Sequence, residues 1–443
     1  MAIHPLIIAV SPHRIAGGIG LLLIGASVAS VTFPSARTVP FYMAGMTPGG
    51  GGAQNLLRRN FQENNGGTES EASLRSFPVA SEALPPFRVT NIAASLRTGE
   101  QFDVAALSQS SEVVGTVVPL QDDSISPGTK RAAPRTYAAR WQNGKLHRLP
   151  IPPGAHRVVA GDINDRGDVG AVSIQYRRGK PSFNRVLLYR RDAAYKDFGT
   201  LNPEYDQPDT QDSAKMRGVS ESLLSLNNRG TIIALVGSNS WFRRADGTIG
   251  SIGDGIAFDL NNNETAVGFV GAYASGAVMW RNVALPGKSS VVPLLPTNKA
   301  IMQQAQSYWR GSAESVNDKG DTVVSVPIDS SNGFRRLGRT AYYLLRDGKL
   351  QLIAQMRGYQ RARVRINDSG DIIGFSDTDQ QSQTIAPILY REGKMYDLTH
   401  AAQNSGWKIL GAIDINNNRQ ILAYGVHNSR ENIAVPILLT PVR

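Results

Sequence analysis

DINDRGDVG, residues 162–170, holds a strand end, a turn and a strand start. Asn and Asp tolerate left-handed backbone angles and bond their own turn, and Gly supplies positive φ without steric cost. The β-branched residues on either side favour extended backbone. The same pattern recurs as SLNNRGTII (225–233), SVNDKGDTVV (315–324) and RINDSGDIIG (365–374). Weaker copies are ALSQSSEVVG (106–115), DLNNNETAVG (259–268) and DINNNRQIL (414–422). Anchored on Ser108, Asn164, Asn227, Asn261, Asn317, Asn367 and Asn416, the copies lie 56, 63, 34, 56, 50 and 49 residues apart. Most of these gaps are near the roughly 50-residue spacing of kelch propeller blades.

A second hairpin follows the first in most units: TYAARWQNGKLHRLP (136–150), TAYYLLRDGKLQLIA (340–354), IAPILYREGKMYDLT (385–399) and the shorter SWFRRADGTIGSI (240–252). Two hairpins make four antiparallel strands, which is one blade. The last unit supplies only three strands, LGAIDINN (410–417), QILAYGV (420–426) and AVPILLTP (434–441). FRVTNIA (87–93) precedes the first unit and resembles a fourth strand. The expectation is an all-β, seven-bladed β-propeller of four-stranded antiparallel blades, with 87–93 completing the last blade. A linear solenoid is the rival reading of such repeats, but it leaves open the sheet edges that closure removes.

The copies, each followed by an Ala-containing strand that ends in Trp or Tyr and then N-G or D-G, resemble the bacterial HAF-repeat family of "extracellular repeat" proteins. The resemblance covers about 87–443 and implies export and a propeller fold; it implies no general activity. The His-Ala-Phe tripeptide is absent. Tyr137-Ala138-Ala139, Gly276-Ala277-Val278, Thr340-Ala341-Tyr342 and Ile385-Ala386-Pro387 stand in its place.

Ahead of the repeats, Ile15–Phe33 carries no charge, follows Arg14, and ends among Ala26, Ser27, Ala29 and Ser30. That order is a secretory signal, or a weak membrane anchor given its length. The domain reading is a signal peptide (or anchor) over 1–30, a Gly/Ser/Pro/Asn-rich linker over 31–86, and the propeller over 87–443. The expected location is extracellular or periplasmic, with membrane contact only through an uncleaved 15–33.

The chain has 443 residues and no Cys. That excludes disulfides, thiolate metal sites, iron–sulfur clusters and Cys nucleophiles. DLNNN (259–263) and DINNN (414–418) place oxygen-bearing residues alternately, as calcium loops do. Yet Glu264 and Arg419 occupy the turn-Gly position, and Val270 and Gly425 stand where the bidentate acid belongs. No nucleophile elbow, P-loop or dinucleotide fingerprint occurs, so neither cofactor nor metal is expected. Trp and Tyr in WQNG, VMWRN and ILYRE are read as core.

Function is sought on long loops, which carry binding sites on rigid scaffolds. Those segments are 119–135, 152–157, 177–183, 202–218, 297–310, 329–339, 355–361, 378–384, 400–409 and 427–431. They hold most of the net charge of +11. Arg177, Arg178, Lys180, Arg335, Arg336, Arg339, Arg357 and Arg361 are candidate anion contacts, since guanidinium forks match carboxylate or phosphate oxygens. His156, His400 and His427 lie on the same segments, with Tyr359, Trp309 and Trp407 as aromatic candidates. One acidic loop, with Glu204, Asp206, Asp209 and Asp212, breaks the pattern. The expectation is a monomeric, non-catalytic binding or scaffold propeller for an anionic polysaccharide or cell-surface component. The alternative is a propeller hydrolase or lyase acting on polysaccharide. Nucleic acid is disfavoured by the export signal and by scattered charge.

Overall fold

The computed structural model describes residues 80, 84–119, 135–177, 180–202, 219–237, 239–253, 255–270, 276–283, 290–294, 311–329, 339–357, 364–377, 385–429 and 433–442. The leader, most of the linker and the acidic loop lie outside them. The first strand, β1 (Phe87–Asn91), is taken up below. Blade one is β2 (Glu100–Leu107), β3 (Val113–Pro119), β4 (Tyr137–Gln142) and β5 (Lys145–Arg148). Blade two is β6 (Arg157–Ile163), β7 (Val169–Arg177), β8 (Lys180–Tyr189) and β9 (Tyr195–Asp197). Blade three is β10 (Val219–Leu226), β11 (Ile232–Val236), β12 (Asn239–Arg243) and β13 (Ile249–Ser251). Blade four is β14 (Ile256–Leu260), β15 (Ala266–Val270), β16 (Gly276–Arg281) and β17 (Ser290–Pro293). Blade five is β18 (Ser312–Val316), β19 (Thr322–Asp329), β20 (Arg339–Arg346) and β21 (Lys349–Arg357). Blade six is β22 (Arg365–Ile366), β23 (Ile372–Asp377), β24 (Ile385–Arg391) and β25 (Lys394–Asp397). Blade seven combines β26 (Trp407–Ile415), β27 (Ile421–His427) and β28 (Val435–Pro441) with β1.

The closure runs as the sequence predicts. β1 pairs antiparallel with β28, Phe87 opposite Pro441 and Asn91 opposite Ile437. The strand is two residues shorter than 87–93, because the chain enters a 3-10 turn at Ile92–Ser95 and buries Ile92 completely. All seven repeats become blades, so the fold is a seven-bladed β-propeller.

The core has no single centre. Seven hydrophobic clusters form, each shared by two consecutive blades. Across the closure, Phe102, Val113 and Trp141 of blade one pack on Leu422, Tyr424 and Leu438 of blade seven. Trp141, Trp280 and Tyr390 are buried, as read from the sequence. Burial at roughly 25 cal/mol per Å² of apolar surface glues the blades, but it does not direct how they meet.

Direction comes from the repeat's Asn. Each Asn Oδ1 accepts the backbone N–H four residues on, at 2.9–3.0 Å, and so caps its own turn. Each Nδ2 donates to the backbone carbonyl of the equivalent residue in the next blade, at 2.9–3.2 Å. The chain of bonds runs Asn164, Asn227, Asn261, Asn317, Asn367, Asn416 and ends on Ser108, which has no amide to pass it on. A second ring closes fully. The backbone N–H of Gln109, Asp165, Asn228, Asn262, Asp318, Asp368 and Asn417 each donates to the side-chain oxygen of the next member, at 2.7–3.2 Å.

The motif's final Gly has a separate cause. Inner strands carry a β-bulge just before the turn, between Val104 and Ala106 in blade one and Ala257 and Asp259 in blade four. The facing residues are Gly115 and Gly268. A Cβ there would lie 2.3 Å from the Asp103 carbonyl oxygen and 2.0 Å from that of Ile256. Only Gly admits so close an approach.

Replacing Asn227 by Asp keeps the oxygen that caps the turn and removes the donor to Asn261. The exposed consequence is one buried carbonyl without a partner, so the variant is expected to lose about 1–3 kcal/mol, read from a shifted denaturant midpoint at unchanged slope. A midpoint equal to the parent's contradicts the role given to the amide.

Candidate functional site in the central channel

Two residues before each ring Asn, the repeats contribute Ala106, Asp162, Ser225, Asp259, Ser315, Arg365 and Asp414 to the inner strands. Six of these, with Ala105, Val316 and Ile366, line a half-open cavity of about 140 Å³. The bulge aims these side chains at the neighbouring blade. Asp162 accepts Leu226 N–H at 2.8 Å, Asp259 accepts Val316 N–H at 3.0 Å and Ser315 Oγ at 2.6 Å, and Asp414 accepts Leu107 N–H at 2.8 Å. The second oxygen of each carboxylate takes the next N–H of its own strand, at 2.8–3.0 Å. These carboxylates therefore brace the blades as well as line the channel.

Arg365 departs from that pattern, because a guanidinium cannot accept a hydrogen bond. Among the described residues no carboxylate comes within ion-pair distance of it, and Nη1 makes one long contact to the Val364 carbonyl, at 3.4 Å. Burial alone would lower its pKa. The combined field of Asp259, Asp414, Asp162 and Glu314 outweighs that and raises it above the ordinary value. Glu314 sits beside this group at the bulge of β18, bonded by Ser312 Oγ and, at 2.5 Å, by Ser325 Oγ.

Asp162 is shifted strongly. Burial pushes its carboxyl up to about 7, the Leu226 N–H opposes this, and the charge of Asp414 adds to it. Arg365 is too far away to cancel the rise.

The residues singled out from the sequence are spread differently. Arg177 and Lys180 are register partners at the tip of β7 and β8. The segment 177–183 is thus a two-residue hairpin tip on long strands, where a loop was expected. Likewise β21 extends to Arg357, and Arg357 pairs with Arg339 across the ladder. The error has one cause: charged, polar strand ends that overhang the sheet look like loop in composition. Arg178, Arg335, Arg336, Arg361, Tyr359 and Trp309 lie outside the described residues. His156 lies between β5 and β6, His400 between β25 and β26, and His427 ends β27. None of the three lines the channel cavity. His427 Nδ1 is 2.6 Å from Ser429 Oγ, and its ring packs edge-on against Trp407 with centroids 5.0 Å apart. Trp407 is half-buried against the cluster between blades six and seven, not an exposed aromatic.

The channel residues escaped the sequence reading, which treated the Asp of DLNNN and DINNN only as rejected calcium ligands. The available signal was vertical. Stacking the seven copies puts three Asp and a solitary Arg in one column, at a position that ought to be strand.

No known protein-family profile matches the chain, and no curated protein matches its sequence. Solved structures similar to it include a mitotic checkpoint complex chain, 9% identical over 84% of this chain and 97% of that one, with a TM-score of 0.38. An alpha-L-arabinofuranosidase of Fusarium graminearum is 10% identical over 83% and 98%, with a TM-score of 0.37. A soluble aldose sugar dehydrogenase of Escherichia coli is 10% identical over 80% and 100%, with a TM-score of 0.33. Likeness at this level carries nothing about chemistry.

Asp162 gives a pH signature. Its folded value of about 7 lies above the roughly 3.9 of an unfolded chain. The protonated form therefore favours folding, and the contribution is whole below about pH 4 and lost as pH rises through 7. Asp162→Asn keeps an oxygen for Leu226 and removes the titration. Between pH 5 and 8 the stability difference should move in favour of the variant by a solvent-screened ~1–2 kcal/mol, measured by urea midpoints. A pH-invariant difference contradicts the assignment.

Proposed function

We propose that the protein is an exported, non-catalytic binding propeller that recognises an anionic polymer through the rim of its long-loop face. Antiparallel blades put the first-to-second and third-to-fourth turns on one face and all remaining connections on the other. On that second face, Arg177 opposes Lys180 and Arg339 opposes Arg357 in neighbouring register positions. Like charges directly opposite one another destabilise a ladder, and a bound polyanion offsets that cost. This pairing, on blades two and five, is the observation that carries the reading. Arg178, Arg335, Arg336 and Arg361 belong to the same segments by sequence, as do His156, His400 and His427.

The polysaccharide hydrolase or lyase reading has less support. Its acids would be the channel carboxylates, but Asp162, Asp259 and Asp414 already hold backbone N–H groups of the next blade. The cavity of about 140 Å³ is also well below the roughly 300–1,000 Å³ of ordinary ligand pockets.

The test is retention on a sulfated polysaccharide column at physiological salt. The parent should be retained, and Arg339→Ala with Arg357→Ala should elute at clearly lower salt while melting normally. Equal elution of parent and double variant would remove the basis of the proposal.

A further inference from the structure

The channel column contains one cation, Arg365, and three anions, Asp162, Asp259 and Asp414. Its guanidinium offers five donors in a fixed fork, and its one described hydrogen bond is the 3.4 Å contact to Val364. Asp259 and Asp414 use two or three of their roughly four acceptor sites on the blades. The cavity is thus unsatisfied in two opposite senses at once. A lone anion would meet Arg365 but face Asp259 and Asp414. A lone cation would meet those carboxylates but face Arg365. Among the described residues, no group of three or more metal-binding side chains is arranged to hold an ion. What complements both halves is a molecule carrying an anionic and a cationic group a few bonds apart.

Size narrows the class. At about 30 Å³ per water in the liquid, 140 Å³ has room for roughly four or five waters, or a comparably small organic molecule. We propose that the channel cavity binds a small amino-acid zwitterion, of glycine or alanine size, with its carboxylate on the Arg365 guanidinium and its ammonium on Asp259 and Asp414. The guanidinium fork matches a carboxylate bidentately. Ser315, already bonded to Asp259, fixes the oxygen that the ammonium approaches. Asp162 and Glu314, the other titratable groups facing Arg365, keep the surroundings anionic and favour the ammonium end. This site is separate from the basic rim, lies in the channel, and stands or falls independently of polymer binding.

Isothermal titration of the full-chain protein with glycine, alanine, phenylalanine, acetate and methylammonium tests it. Glycine and alanine should give saturable heats. Acetate and methylammonium should bind at least roughly tenfold more weakly, and phenylalanine should not bind. Arg365→Gln should weaken glycine by roughly thirty-fold or more, the usual effect of truncating one partner of a buried charge pair. Should that variant fail to fold, Arg365→Lys and Asp414→Asn replace it. The first keeps the charge without the fork, the second keeps an oxygen for Leu107 without the charge, and both should weaken glycine. Absence of saturable binding by glycine and alanine, equal binding of acetate or methylammonium, or unchanged affinity in a folded variant each overturns the proposal.

Discussion

An asparagine amide accepts two hydrogen bonds and donates two, and the ring of blades depends on that valence. The oxygen of each repeat Asn is spent inside its own turn, and the nitrogen is spent on the next blade. No other short side chain does both. Aspartate lacks the donor, and serine has one hydroxyl, which in Ser108 caps the turn through Glu112 N–H at 3.1 Å. Hydrophobic clusters supply the larger energy, but they are forgiving of angle and register. The amides convert seven loosely adhering sheets into one ring, because each ties a turn's conformation to its neighbour's position. The second ring, through Gln109 to Asn417, repeats the device one residue later and has no break.

This explains what was legible in the sequence. Asn at the anchor and Gly three residues on are dictated by local backbone chemistry, so they survive in recognisable form. Where Gly is missing, Ser111, Glu264 and Arg419 take its place at φ of 64°, 59° and 62°. Those blades are the weak copies, held by tertiary bonds against an unfavourable backbone. Glu264 shows how: its carboxylate accepts Thr231 Oγ1 of the preceding blade at 2.9 Å. The missing fourth strand of the last blade was legible for a different reason, since an unpaired edge must be covered by something. The channel column was not legible, because its chemistry appears only when inner strands from different blades meet around the axis. Asp162, Asp259, Asp414 and Arg365 are hundreds of residues apart in part, and each looks unremarkable in its own strand.

The two candidate regions therefore differ in kind. The rim is basic because hairpins overhang the sheet and carry their charge beyond it. The channel is acidic at its wall because carboxylates are the acceptors that a bulged inner strand can aim at a neighbour's N–H. Arg365 interrupts this bracing, and the interruption leaves both a guanidinium and a small polar cavity. Bracing and binding share the same residues there, so substitutions in the channel will move stability and ligand affinity together unless the acceptor oxygen is kept.

The most direct measurement of the central account is native-state hydrogen exchange at the seven turn amides of Gln109, Asp165, Asn228, Asn262, Asp318, Asp368 and Asn417. Turn amides ordinarily exchange through local opening at little cost. If blade-to-blade bonding holds the ring, these seven will exchange only with global unfolding, with the same free energy as the central strands. Exchange of these amides by independent local opening, while the strands stay protected, would contradict the account.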